Sequence, residues 1–295
     1  MRNLLYLIDL YLLLVTAFWG ASYYLTDVSL TDLPPMCLNA FRFLSAFIML
    51  GIMFHKTMRA LNRETIRYSF WVGLALAATY IFYGYGISRT SLSNAAFICA
   101  ISVAFTPLFS YLFERAKPTK KIVFCILLCV VGVGFLTLGD DLRPAVGDII
   151  CLGAPVCYAL DIAITDKAVR RSDVDPLGLG VCQLGVVGAI TLTMSLILEQ
   201  PHLPTTPATW ASSLFLGFFC SGAAFVIQAV QQKHTTANHV GLIFTMEPVF
   251  ATVIAFFFAG EVITTRSYFG MALMLISLIF MEIDWPAKQK EENAA

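Results

Sequence analysis

Three charged side chains stand where charge is costly: Arg42, Asp161 and Glu247 each fall inside a long apolar run. An ion near the centre of a bilayer costs on the order of 3 kcal/mol even on lenient insertion scales, so such groups face protein or water and mark candidate paths for ions and solutes. Glu247 is followed by Pro248, which lacks an N–H and frees the carbonyl one turn earlier. Both are tolerated on a helix that lines a polar cavity. With a 1.5 Å rise and a core of about 30 Å, Arg42 lies about 12 Å, Glu247 about 16 Å and Asp161 about 19 Å below the outer boundary. The depths overlap, so Arg42 is expected to pair with Glu247 or Asp161, leaving the other carboxylate for solute or proton. The competing readings are that Arg42 and Glu247 only staple helices together, and that Asp161 snorkels to the inner interface.

The elements that must position these charges are membrane spans. The 295 residues are 58% hydrophobic and 13% charged with a mean hydropathy of +0.78, whereas soluble domains are about a quarter charged. Apolar runs predict ten helices at 7–26, 34–54, 68–88, 94–113, 122–138, 148–167, 176–198, 210–230, 238–259 and 265–283. Pro34-Pro35, Asp175-Pro176, Gly139-Asp140-Asp141 and the stretch from Pro201 to Pro207 mark the breaks. Arg2, an apolar stretch and Gly20-Ala21-Ser22 imitate a signal peptide, but Asp9 interrupts the run and the segment reads as a span. With the N-terminus inside, fifteen basic residues fall on the cytoplasmic side and three outside, with Arg42 in the bilayer, which accounts for all 19. Both termini are therefore expected in the cytoplasm, in a multi-pass protein of the plasma membrane, the inner membrane if the source is bacterial.

The two halves match each other. At an offset of 139, Asp9, Trp19, Ser22 and Thr26 meet Asp148, Tyr158, Asp161 and Thr165; at 141, Pro35 and Arg42 meet Pro176 and Gln183. At 144, Gly73, Ala77, Gly84 and Asn94 meet Gly217, Ser221, Gln228 and Asn238, and at 145 Lys121 and Phe124 meet Arg266 and Phe269. Such ordered offsets describe a duplicated unit of five helices: 1–139, 140–284, and a cytoplasmic tail 285–295. Because five is odd, the units are inverted in the membrane. In such architectures the solute site lies near the midplane between repeats and opens alternately to each side. Asp161 is singled out further because Ser22 fills its place in the first unit.

Phe18-Trp19-Gly20-Ala21-Ser22, Arg42-Phe43, Asp175-Pro176 with Gln183, and Glu247-Pro248-Val249-Phe250 leading to Gly260-Glu261 resemble the EamA-type members of the drug/metabolite transporter superfamily. The resemblance spans nearly the whole chain. It implies a ten-helix exporter or exchanger of small metabolites, often amino acids, with helices 1 to 4 and 6 to 9 around a central cavity and helices 5 and 10 at the periphery. Lys117 departs from the glutamate the family often carries at the position matched by Glu261, and Pro107 is shifted relative to Pro248, so the halves are expected to differ around helices 4 and 9.

Side chains with polar tips at cavity depth complete the expected site. Tyr80, Tyr83 and Gln228 are placed toward the cavity end of helices 3 and 8, and Trp19 and Tyr158, with Tyr23, Tyr24 and Phe97, are candidates for an aromatic wall. Gly73, Ala77, Gly217 and Ser221 read as close-packing positions. Asn94 and Asn238 read as helix caps, and His234 and His239 as interfacial. Asn238 and Glu247 point to opposite sides of an ideal helix, so one helix presents both to a cavity only if Pro248 distorts it.

Other chemistries find less support. His55, His202, His234 and His239 do not fit the His-Glu-x-x-His spacing, and neither a Gly-x-Ser-x-Gly nor a Walker motif occurs. The eight cysteines lie in apolar runs without zinc spacing; Cys125 and Cys129, one turn apart, read as small buried hydrophobes rather than soft-metal ligands. No cofactor is expected, and a net charge of zero points to no nucleic-acid partner. The expected function is secondary transport of a small organic solute, with proton coupling open and oligomeric state undetermined. An intramembrane enzyme, a passive channel and a receptor remain the rivals.

Overall fold

In the computed structural model, residues 2–87, 89, 98–115, 118–137, 146–259 and 264–282 are described, and among them there is helix and no strand. The helices are α1 (Arg2–Leu30), α2 (Pro35–Met53, followed by a short turn His55–Arg59), α3 (Arg63–Ile87), α4 (Ser102–Glu114) and α5 (Lys120–Thr137). The second half holds α6 (Val146–Cys151 and Gly153–Val169), α7 (Pro176–Leu198) and α8 (Pro207–Phe215, a π-helical stretch Leu216–Ala223, and Ala224–Gln232). It ends with α9 (Ala237–Phe244, Glu247–Ile254 and a π-helical Ala255–Ala259) and α10 (Thr265–Glu282). Asn94, Phe97, Lys117, Arg143, Glu261, the 139/140 division and the tail 285–295 lie outside the described residues.

Among the described residues, six stretches are long and apolar enough to cross a membrane: Tyr6–Leu30, Pro35–Met53, Ile149–Val169, Pro176–Leu198, Pro207–Gln232 and Ala237–Phe258. Ile98–Phe113 and Tyr268–Ser277 are shorter apolar helices. The expected spans at 68–88 and 122–138 coincide with α3 and α5, which fall outside those six. Large apolar side chains such as Ile52, Ile197 and Phe257 stand about seven-tenths exposed on the bundle's flanks, as a surface turned to lipid requires.

Local chemistry sets the helix ends. Proline occupies the first turn of α2, α7 and α8, where its missing N–H costs nothing. The Asp175 carboxylate caps α7 by accepting from Gly178 N at 2.8 Å, and Thr236 caps α9 by accepting from His239 N at 3.3 Å. The cap of α9 is therefore Thr236 and not Asn238, whose side-chain oxygen instead accepts from Ser110 Oγ at 3.4 Å. Here a hydroxyl in extended backbone two residues earlier reaches the free N–H groups first.

The helices pair in a regular scheme. α2 packs on α7 and α5 on α10; α3 packs on α6 and α7 as α8 packs on α1 and α2; α4 packs on α6 as α1 packs on α9. Gly20 permits the last contact, since a β-carbon there would stand 2.5 Å from Phe250 Cβ and 2.8 Å from Ala251 N. The obstacle is backbone and cannot rotate away. Gly20→Ala is expected to force α1 off α9 and to destabilise the protein by about 1–3 kcal/mol, visible as a lower melting temperature in detergent.

The two ends of the bundle are tied differently. At the end carrying Arg63, Arg170 and Lys233, here called the basic end, His239 Nε2 meets Asp9 Oδ1 at 2.7 Å, and Asp166 accepts from Arg170 at 2.9 and 3.1 Å. At the opposite end Glu199 accepts from Met36 N and Cys37 N at 3.0 and 2.9 Å, fixing the start of α2. In the loop after α1, Asp32 accepts from the Thr205 N–H and hydroxyl, each at 2.8 Å. These bonds hold the Asp32 carboxyl below the ordinary carboxylate range. A depressed folded pKa gives stability that is present above the unfolded value and is lost as pH falls through the folded one. The protection of Thr205 N against hydrogen exchange, relative to its intrinsic rate at each pH, is thus expected to fall on acidification in the wild type and to be low throughout in Asp32→Ala.

Candidate functional site

A cavity opens in the half of the bundle away from the basic end. Trp19, Ser22, Tyr23 and Thr26 enter it from α1, at the i, i+3, i+4, i+7 spacing of a single helix face. α2 contributes Arg42, α3 contributes Thr79, Tyr80 and Tyr83, and the residues before and at the start of α4 contribute Cys99, Ala100 and Ser102. Ala154, Pro155 and Tyr158 of α6, Phe225 of α8, and Phe244 and Glu247 of α9 close it. Its volume, counted as the space open to water centres, is ≈ 80 Å³. One water needs about 10–15 Å³ on this measure, so the cavity suits a solute of several heavy atoms.

Arg42 is 3% exposed yet makes no ion pair among the described residues. Its Nε donates to Ser221 Oγ at 2.5 Å and its Nη2 to the Tyr80 hydroxyl at 3.3 Å. The guanidinium carbon lies 5.0 Å from the Tyr80 ring centroid and 5.3 Å from that of Phe43, within cation–π range. The expected pairing with Glu247 or Asp161 is thus not formed: a hydroxyl and two aromatic faces hold the guanidinium on its own side of the cavity. Gly217 makes this possible, because a β-carbon there would stand 3.0 Å from Arg42 O, and Ser221 lies one turn further along α8. Ser221 is therefore a partner of the arginine as well as a packing residue.

Glu247 faces the cavity from a broken helix. The bonds Val249 N to Met246 O (3.1 Å) and Met246 N to Ile243 O (3.0 Å) replace regular α-helical pairing around residues 245–246, and a fresh helix starts at Glu247. Pro248 enforces this, since it cannot bond the Phe244 carbonyl and is tolerated in a first turn. Asn238 and Glu247 do not share the cavity: Glu247 lines it, whereas Asn238 is turned to Ser110 of α4. Tyr23 faces the Glu247 carboxylate within hydrogen-bond reach, and the charge of Arg42 acts on it without an ion pair.

An aromatic floor separates the cavity from the basic end. Trp19 lies 4.7 Å from Phe244, 5.3 Å from Phe225 and 5.8 Å from Tyr158, centroid to centroid, and its Nε1 donates to Cys220 O at 2.9 Å. Of the residues expected at the site, Arg42, Glu247, Trp19, Ser22, Tyr80, Tyr83 and Tyr158 line this cavity. Asp161, Gln183 and Gln228 do not: each is buried to 2% exposure or less, with both Asp161 oxygens and the two amide oxygens unpartnered. Phe225, Phe244, Thr26 and Thr79 are lining residues that sequence reasoning did not single out; Thr26 was detectable as the continuation of the Trp19, Ser22, Tyr23 face.

A helical bundle with an apolar flank around a charged and aromatic cavity is the form of a multi-pass membrane transporter. The chain belongs to the EamA-like transporter family, whose model matches it twice, at residues 6–138 and 145–283. It is 25% identical over 93% of its length to a protein of Archaeoglobus fulgidus described as an uncharacterized transporter, covering 85% of that protein. Bacillus subtilis YyaM, also described as an uncharacterized transporter, is 25% identical, with 92% of this chain and 93% of the relative aligned. A protein of Arabidopsis thaliana described as probable purine permease 11 is 24% identical over 62% of this chain and 52% of its own. The fold matches a solved crystal structure with a TM-score of 0.77 at 16% identity, over 93% of this chain and 96% of that one.

Proposed function

We propose that this transporter moves a small organic zwitterion, an amino acid or a close relative, by secondary active export or exchange. The observation that carries this reading is that Arg42 of α2 and Glu247 of α9, of opposite charge and not paired with each other, line one small cavity. A carboxylate would add to the guanidinium at the edge not taken by Ser221, and an ammonium would meet Glu247, so the solute completes the pair that the protein leaves open. Tyr23, Tyr80, Tyr83 and Tyr158 supply apolar walls with polar tips.

The mechanism in this reading is alternating access. The pairing scheme of the helices is preserved when α1–α5 are exchanged with α6–α10, as two inverted five-helix repeats with both termini cytoplasmic would require. Opening toward the basic end then means parting the Trp19, Tyr158, Phe225 and Phe244 floor together with the Asp9–His239 contact. Proton coupling through a buried carboxylate belongs to the same reading.

A planar nucleobase is the second reading, favoured by the aromatic floor and by the relatives described as purine permeases. A thermal-stabilisation screen of purified protein against amino acids, amines, organic acids and nucleobases separates the two. Proteoliposome counterflow of each hit then tests exchange: acceleration by opposing substrate is expected, and its absence would leave a channel or a receptor.

A further inference from the structure

One turn past the aromatic floor, α6 and α8 enclose a second set of polar groups that the cavity does not reach. Asp161 follows Tyr158 by three residues on α6 and Gln228 follows Phe225 by three on α8, so both lie about 4.5 Å further toward the basic end. Thr165 and Gln232 continue the same two faces by another turn. Asp161, Thr165, Gln228 and Gln232 are all at least 98% buried.

The hydrogen-bond inventory of this pocket is lopsided. Asp161 Oδ1 and Oδ2, Thr165 Oγ1, Gln228 Oε1 and Gln232 Oε1 have no partner. The amide nitrogen of Gln232 is committed to the Ile162 carbonyl at 2.6 Å, which fixes its oxygen as an acceptor. Gln228 turns its amide N–H toward the carboxylate, short of hydrogen-bond geometry, and even counted as one donor it leaves a carboxylate oxygen, Gln228 Oε1 and Gln232 Oε1 open. Tyr158 is the titratable group that faces Asp161, and its hydroxyl is also unpartnered. No ion pair reaches Asp161 from α3, α4, α8 or α9 among the described residues. Buried acceptors in such excess cost far more than buried acceptors that share a positive partner.

We infer that Asp161, Thr165, Gln228 and Gln232 form a monovalent-cation site, for Na⁺ or H⁺, separate from the cavity that holds Arg42 and Glu247. Oxygen-only ligation suits a hard cation, and one carboxylate balances one positive charge, whereas a divalent ion would leave a net charge in a dry pocket. A proton serves the same set by turning the carboxyl into a donor toward Gln228 Oε1. The site is stacked beneath the cavity, and Tyr158 belongs to both. Cation binding stands on this geometry alone; its coupling to solute movement rests on the transport reading.

Binding is tested without transport, on the purified full chain. Thermal unfolding is followed in NaCl against choline chloride at equal ionic strength, and the infrared carboxyl band is recorded at neutral pH. Sodium occupancy predicts a melting temperature that rises and saturates with Na⁺, a response lost in Asp161→Asn. Proton occupancy predicts no Na⁺ response and a protonated-carboxyl band that Asp161→Asn removes and Glu247→Gln does not. Should Asp161→Asn fail to fold, Gln228→Met is expected to weaken the Na⁺ response or shift the band. A wild-type protein with neither a Na⁺ response nor a protonated-carboxyl band overturns the inference, whatever the result of the transport assays.

Discussion

Glu247→Gln is expected to lower counterflow of a zwitterionic substrate on the order of 10- to 100-fold while leaving the protein folded. The range corresponds to the loss of one charged hydrogen bond to the solute, about 1.5–3 kcal/mol. Glutamine keeps the length and volume of the side chain, and among the described residues Glu247 has no ion-pair partner to be stranded. The substitution removes a charge that faces the cavity and keeps an oxygen that can accept from Tyr23, so abundance and melting temperature serve as controls. If Glu247 instead only stapled the two halves together, the variant would lose stability and keep its rate per folded molecule. Wild-type transport at normal abundance would sink the proposed role of this carboxylate.

How much of this was legible beforehand depends on what each residue's signal was. Arg42, Asp161 and Glu247 announced themselves because charge in an apolar run has a calculable cost. Trp19 and Tyr158 emerged from the repeat, and the structure sets their rings 5.8 Å apart on the cavity floor. Phe225 and Phe244 carried no such mark: with 24 phenylalanines in the chain, one that floors a cavity reads like one that faces lipid. The partner of Arg42 was missed for a related reason. Ser221 lies in a stripe of small residues, and spacing alone does not distinguish a hydroxyl that eases helix contact from one that receives a guanidinium. Depth along a straight helix also misled, since it ranks Asp161 with Arg42 and Glu247 although an aromatic layer divides them. In the sequence a break of α9 is tied to Asn238 and Glu247 sharing the cavity, and that condition is not met, since α9 breaks while Asn238 bonds α4. The position of the break at residues 245–246 follows from which carbonyl Pro248 leaves unbonded.

Arg42 provides the counterpart test, with a readout that a structural role would not imitate. Arg42→Ala is expected to cost about 10- to 100-fold in transport of a zwitterion, and Arg42→Lys to fall between it and wild type. Lysine keeps the charge but loses the planar fork that lets one edge hold Ser221 and Tyr80 while another meets a carboxylate. The decisive comparison uses truncated solutes. An amine without a carboxylate has nothing to lose at Arg42, so its uptake is expected to be similar in wild type and Arg42→Ala and to collapse in Glu247→Gln. An acid without an amine is expected to show the reverse. If Arg42 acts only by holding α2 against α8 through Ser221, the Arg42→Ala deficit would be the same for every solute and would track the melting temperature. A deficit that follows the solute's carboxylate places the guanidinium on the substrate, because a variant and a missing ligand group are non-additive only when the two interact.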